Sequence, residues 1–260
     1  MRNMRGEARR YGSQVALYVK GILSIAWFYG YAQFKRNIFW SLHYVIAPLA
    51  FFFFIHLYGR GAGTPFAVAG GFIAVTLAAS ISMETEAAFN RIVLKLQDVY
   101  VASPVSPLTY VLGLALANMI SAIPGVVIFL VLASLFLSIG LFFMLTLAAV
   151  TTSIWLTFSS LGFLLSTLAR DVKDLWTWTP IISAALSVLP PVFYPLELLP
   201  GYLGWIVYAI PPATAARVLQ GSLGAVSLGF TEALYLWAAL LIQSSISVAL
   251  LLRSIRWRLN

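Results

Sequence analysis

The 260-residue chain has no cysteine, so disulfides and thiol chemistry are excluded, and the redox compartment stays undetermined. Charge is almost as scarce. Asp, Glu, Lys and Arg make up 9% of the residues, against about 25% in a soluble domain. With 61% hydrophobic residues, a soluble protein of this size could not cover its own surface with polar groups. No G-x-x-x-x-G-K-[ST] loop occurs, so ATP hydrolysis by that route is excluded. The two histidines, His43 and His56, share no ligand spacing and read as packed, hydrogen-bonded residues. Asp171 and Asp174 form a lone acidic pair, too little for a metal-dependent prenyl- or phosphotransferase. Residues 1–20 have a basic start but no small-residue cleavage site after a short apolar core, so no cleaved signal peptide is expected.

What the chain does have is long apolar runs. Six are expected to span a bilayer: Ile38–Tyr58, Phe66–Met83, Leu108–Ile139, Leu141–Ala169, Leu175–Leu196 and Phe230–Leu252. Pro124-Gly125 should kink the third. The fold class is therefore an all-α integral membrane protein, read as one domain. Residues 1–37 form a tail and an N-terminal amphipathic helix, 38–252 the six-span bundle, and 253–260 a second tail. Of the sixteen Lys and Arg residues, only Arg60 and Arg217 fall at outer ends of spans. That bias predicts a multi-pass protein of the cytoplasmic membrane with both termini cytoplasmic. The net charge of +8 flanks apolar spans and forms no polar face. It points to anionic membrane lipids rather than nucleic acid.

Two stretches are irregular. In Tyr11–Phe34, Ser13, Lys20, Ser24, Tyr31 and Lys35 align on one helical face, with Val15, Val19, Ile22, Ile25 and Tyr29 opposite. This is the pattern of an interfacial helix with Trp27 and Tyr29 at headgroup depth. A seventh span would place Arg2, Arg5, Arg9 and Arg10 outside, against the charge rule. Between spans five and six, Pro190-Pro191, Pro195, Pro200-Gly201 and Pro211-Pro212 interrupt the chain, and Tyr202–Ile210 is too short to cross. Two readings stand for this stretch: a re-entrant segment at the outer mouth, rimmed by Tyr194, Tyr202, Trp205 and Tyr208, or an ordinary outer loop with an aromatic belt.

These residues bring a family into view. The stretch Asp98–Pro107, leading to Gly113, is similar to the "sPvs…lG" signature of the drug- and lipooligosaccharide-exporting branch of the ABC-2 type permeases. Val192-Phe193-Tyr194-Pro195-Leu196-Glu197-Leu198-Leu199-Pro200 resembles that family's "SGvfyP…lP" segment. Pro212-Ala213-Thr214 followed by Arg217 resembles its "NP…R" stretch. Their order and the six-span layout make the set specific across the whole chain. The chain departs from the pattern where the family's Ser-Gly pair is Pro190-Pro191 and its Asn is Pro211, changes that remove backbone donors.

The resemblance implies the membrane subunit of an ATP-binding-cassette exporter. ATP and Mg would be held by a separate cytosolic ATPase, and a second permease copy would complete the translocation unit. This chain itself would bind no cofactor or metal. Coupling to the ATPase is expected in Glu84–Pro107, where Glu84, Glu86, Arg91, Lys95 and Asp98 mix charge of both signs. Arg91 and Lys95 are expected to share a helical face, and Pro104 and Pro107 to end that helix. The plain alternative is a solvated loop. Arg170, Asp171, Lys173 and Asp174 would either touch the ATPase or only anchor spans four and five. Pro190, Pro191, Tyr194, Pro195, Glu197, Pro200, Pro212 and Arg217 would form the outer gate. No ionisable side chain is expected in the middle third of a span, which argues against a proton- or sodium-coupled carrier. A stand-alone carrier or channel, and a lipid-modifying enzyme using Asp171 and Asp174, stay as alternatives.

Overall fold

A computed structural model describes residues 16–36, 39–103 and 105–255, apart from the side chains of Gln33, Trp40, Gln97, Asp98 and Val101. Pro104, Ile38, Val15, Ser13 and the N-terminal arginines lie outside the described residues. Among those described, every regular element is helical. They are α1 (residues 16–36), α2 (Phe39–Tyr58), α3 (Thr64–Ile81), α4 (Met83–Ile92), α5 (Leu96–Val101), α6 (Pro107–Phe136), α7 (Leu141–Leu168), α8 (Val172–Val188), α9 (Ile206–Ala209), α10 (Pro211–Ser222) and α11 (Phe230–Ser254). Among the described residues, five helical stretches are long and apolar enough to cross a bilayer: α2, the continuous Thr64–Ile92, α6, α7 and α11. The protein is a multi-pass membrane protein.

Small side chains decide what sits at the centre. α3 carries Ala67, Ala69, Gly70, Gly71, Ala74, Ala78 and Ala79, and nearly all of it is buried. Without bulky residues, neighbouring backbones can approach closely, the main route to helix association in lipid. α3 accordingly touches α2, α6, α7, α8 and α10. A Cβ on Gly71 would fall inside the Phe129 ring, and one on Gly70 inside the Phe193 ring.

The second predicted span proves longer than expected. The helix continues through Ser82, whose N–H still donates to Ala78 O at 3.2 Å, and ends only at Ile92. Glu84 and Glu86, expected in a separate charged stretch after the span, belong to its continuation. Met83, Glu84, Glu86, Ala87 and Ala88 are good helix formers, and both carboxylates are accommodated within the bundle. The fifth apolar run is shorter than predicted: α8 stops at Val188 because Pro190 and Pro191 offer no N–H to continue it. Its 17 residues fall at the lower limit of about 17–25 for a crossing helix.

α1 packs along the first turns of α6 and runs in the same direction. The meeting pairs are Gly21 with Thr109, Ile25 with Gly113, and Gly30 with Ala117. The steps on α6 are four and four, while those on α1 are four and five. A π-helical turn at Trp27–Tyr31 absorbs the extra residue and keeps α1 in phase. A Cβ on Gly30 would come within 2.9 Å of Ala117 Cα, so only glycine permits this approach. Lys20, Ser24 and Lys35 are exposed as expected, but Val19, Leu17 and Phe28 are exposed too. The open side is therefore mixed rather than polar. Tyr29 is buried in one cluster with Tyr110 and Phe163, because the face that α6 covers is the one it occupies.

Beyond α8 the backbone is irregular yet enclosed. Pro190 to Phe193 are buried, two 3₁₀ turns follow at Leu196–Leu198 and Gly201–Leu203, and α10 is buried from Pro212 to Gln220. α10 packs on α3, α7 and α11. Its 12 residues reach about 18 Å, short of the roughly 30 Å of a hydrocarbon core. Polar side chains satisfy carbonyls that no regular helix covers. Thr214 Oγ1 donates to Val207 O at 2.6 Å, Gln243 Nε2 to Tyr208 O at 2.9 Å, and Gln220 Nε2 to Val192 O at 3.3 Å.

Candidate functional site

α2 and α8 stand apart over α3 and leave a groove of about 350 Å³ between them. Ala74, Ala78 and Ser82 make its floor, spaced four residues apart along α3. Tyr44, Pro48 and Phe51 line one wall, and Thr179, Pro180, Ser183 and Ser187 the other. At the end nearest the proline-rich segment, Phe51 stacks on Phe193 with ring centroids 5.2 Å apart. Phe193 is buried on Gly70, so the absence of a side chain in α3 is what seats this ring.

A chain of hydrogen bonds leads from the groove into the protein. Tyr44 Oη and Ser82 Oγ are 2.9 Å apart, Ser82 Oγ donates to Asn118 Oδ1 at 3.0 Å, and Asn118 Nδ2 donates to Glu86 Oε2 at 3.0 Å. Glu86 thus faces α6, partly buried, with Tyr29 and Tyr110 nearby. Glu84 turns toward α8 beside Thr179. It is 2% exposed, and its Oε2 has no hydrogen-bond partner. Neither carboxylate belongs to a solvated charged surface, so this part of the expected docking face is corrected.

Arg91 is also not free for a partner. Its guanidinium donates to three carbonyls at the end of α7: Ser166 O at 2.5 Å, Ala169 O at 2.9 Å and Thr167 O at 3.1 Å. The last carbonyls of a helix lack intrahelical donors, and Arg91 supplies them. Nor do Arg91 and Lys95 share a face. α4 ends at Ile92, and Lys95 adopts a left-handed backbone (φ 51°) that breaks the helix before α5. Lys95 is exposed. Asp98 lies on α5, its side chain outside the described set, and Pro104 is outside it altogether. Pro107 does open α6, capped by Ser106 Oγ accepting from Thr109 N at 3.1 Å.

In the second loop Arg170, Lys173 and Asp174 are exposed, while Asp171 caps α8 through Oδ1, which accepts from Lys173 N at 3.0 Å. Among the described residues no group of His, Asp or Glu is placed to hold a metal. His56 is packed as expected, 2.7 Å from Thr64 Oγ1 and stacked on Phe52.

The proline-rich residues gather around Arg217. This arginine is buried in α10, and donates from Nη1 to Glu197 Oε1 at 2.9 Å and from Nε to Glu232 Oε1 at 3.1 Å. It ties the first 3₁₀ turn and the start of α11 to one side chain. The Glu197 carboxyl is held below its ordinary range by its own backbone N–H and by Arg217, against an upward push from partial burial. Pro195 and Pro200 lead into the two 3₁₀ turns, Pro212 is buried in the first turn of α10, and Tyr194 Oη donates to Leu189 O. Tyr202, Trp205 and Tyr208 are exposed, and Tyr194 is half-buried.

Sequence reasoning missed Ser82, Asn118, Tyr44 and the hydroxyls of α8. The last had a signal: Thr179, Ser183 and Ser187 recur every four residues within an apolar run. Asn118 had none beyond being a lone amide in a span.

No curated protein matches the chain. The family model for the ABC-2 type transporter matches residues 23–223, a range that takes in α2, α3 and α8 around the groove, α4 and α5, and Arg217 with Glu197. The chain belongs to the ABC-2 type transporter family, the membrane components of ABC transporters.

Proposed function

We propose that this protein is the membrane-spanning permease subunit of an ABC exporter, moving an amphipathic substrate across the cytoplasmic membrane with ATP hydrolysed on a separate ATPase subunit. The observation that carries the reading is that one family match covers the groove, its floor, the second half of α1 and the proline-rich segment together. ATP and Mg belong to the partner, and a second permease copy completes the unit. In this reading α8 is the sixth crossing helix. The buried α10 is a re-entrant helix at the outer mouth, and α1 sits at the inner membrane surface with both termini cytoplasmic. The positive charge at Lys20, Lys35, Arg170, Lys173 and Arg253 favours that orientation.

The ATPase would engage the turn at Lys95, α5 and the exposed loop Arg170–Asp174. Force delivered to α4 passes to α7 through Arg91. It passes to the groove floor because α3 and α4 form one continuous helix. The walls α2 and α8, each carrying a proline, then move against this core and part Phe51 from Phe193. Substrate crosses along the interface between two copies. The test is co-expression with an ABC ATPase encoded beside it. Co-purification and substrate-stimulated hydrolysis are expected. A permease that never pairs with an ATPase would end this reading.

A second reading has one observation in its favour. Glu84 and Glu86 lie within a continuous crossing helix, and buried carboxylates are common in proton-coupled carriers. Uptake or efflux driven by a proton gradient, with no ATPase present, would support it.

A further inference from the structure

The lining of the groove restricts what can enter it. Each wall carries a proline at groove level, Pro48 in α2 and Pro180 in α8. A proline has no N–H, so it gives no helical donor to the carbonyl four residues before it, which in α2 is that of Tyr44, a lining residue. α8 adds hydroxyls along one face. Ser187 Oγ donates to its own helix at Ser183 O, 2.8 Å away, which leaves its lone pairs to accept. Thr179 Oγ1 is 3.3 Å from Thr85 Oγ1, and Ser183 is partly open to the groove. The groove is thus mainly apolar, with a few hydrogen-bond acceptors along its α8 wall and the Phe51 and Phe193 rings at one end.

Among the described residues, no Asp, Glu, Lys or Arg lines the groove, and His43 in α2 is its histidine. The nearest acidic group along the hydrogen-bond chain, Glu86, is held behind Ser82 by Asn118. Glu84 is buried behind Thr179, so an ion entering this space would shed water with no carboxylate, lysine or arginine in the lining to meet it, a heavy desolvation penalty. A neutral hydroxyl or amide would exchange its water bonds for carbonyl and hydroxyl partners at little net cost. The volume, about 350 Å³, lies within the usual range of roughly 300–1,000 Å³ for small-molecule sites.

We infer that the groove receives the uncharged polar part of an amphiphile bearing hydroxyl or amide donors, with its apolar part against Phe51 and Phe193. This narrows the substrate class of the exporter and rests on that reading. Ser187 is the specificity-determining side chain.

Because the chain has no cysteine, Ser183→Cys introduces a single thiol inside the groove. Its alkylation rate by N-ethylmaleimide is measured in nanodiscs with the ATPase subunit present, in octyl glucoside, octylammonium or octyl phosphate below their micelle concentrations. Octyl glucoside is expected to slow the reaction about tenfold at about ten times its Kd, as single-site occupancy requires. The charged homologues should need at least about tenfold more for equal protection. Leu141→Cys, on an exposed face away from the groove, should react alike in all three.

Equal or stronger protection by octylammonium or octyl phosphate overturns the inference. So does a thiol at position 183 that never reacts, or one shielded in proportion to protein density, which would mean a second copy fills the groove. If Ser183→Cys does not fold, Ala184→Cys, on the same wall and exposed, reads the same rates. ATPase co-purification is scored separately. Lost selectivity with intact pairing rejects only the groove chemistry, and absent pairing rejects the exporter reading instead.

Discussion

Replacing Arg91 separates two roles that look identical in the sequence. If its guanidinium serves a docking surface, Arg91→Ala weakens the ATPase complex and leaves the permease stable. The geometry requires the reverse order of effects. Its N–H groups reach the carbonyls of Ser166, Thr167 and Ala169 at 2.5–3.1 Å. A hydrogen bond involving a charged group contributes about 1.5–3 kcal/mol when buried, but Arg91 is partly exposed and water can replace part of that. The cation also sits at a helix C-terminus, worth about 0.3–1 kcal/mol. A loss of roughly 2–3 kcal/mol is the reasonable sum after that discount. At about 2–4 °C per kcal/mol for a chain of this size, Tm should fall by roughly 5–10 °C.

Lysine keeps the charge but cannot fork to three acceptors, so Arg91→Lys should fall between wild type and alanine. Arg91→Glu should be worst, because a carboxylate would face three carbonyl oxygens. Thermal unfolding in detergent, with limited proteolysis at the exposed Leu168–Arg170 turn, reads all three variants. An Arg91→Ala protein with unchanged Tm and a lost ATPase partner would refute the capping argument and restore the docking one.

Other substitutions test the remaining joints. Asn118→Leu removes the partner of Glu86 and should cost about 0.6–1.7 kcal/mol, the range for hydrogen bonds within membranes. Adding Glu86→Gln should recover much of it, and no recovery in the double variant would show that the pair is not coupled. Gly30→Leu should push α1 off α6, since even a Cβ there approaches Ala117 to 2.9 Å. Overpacking of this kind costs about 1–3 kcal/mol, and a spin-label distance between α1 and α6 that stays unchanged would contradict it. The Arg217 cluster sets a pH dependence. The Glu197 carboxyl is depressed in the folded protein. Its contribution is therefore complete above the ordinary Glu range near about 4.3, and is lost as pH falls through the lower folded value. Proteolysis of the 189–210 segment should be flat from neutral pH down to about 5, and loosening that begins above that would show another group in control.

Local physics made much of the fold legible. The apolar runs placed α2, α6, α7 and α11 within a few residues, because a crossing helix must satisfy its backbone internally over a known length. Pro107 announced the start of α6, because a proline is tolerated in a helix's first turn. Asp171 and Pro190-Pro191, which bound α8, went unused in the sequence reading, which carried that run on to Leu196. The acidic residues were the weak point. A charge marks a surface only if nothing in the fold answers it. Asn118 answers Glu86 from 32 residues away, and Arg91 is answered by carbonyls 75 to 78 residues on.

By itself, then, the sequence determined the class of protein, the rough ends of its long helices, and its family, since each depends on residues close together in the chain. The tertiary structure decided which charges are buried, that α3 is the axis, and that α2 and α8 part to leave a groove lined by none of the described Asp, Glu, Lys or Arg residues. Those outcomes depend on which helix faces which. That choice is made by small residues such as Gly70 and Gly30 meeting rings and backbones from distant segments, and their contacts exist only once the helices have packed.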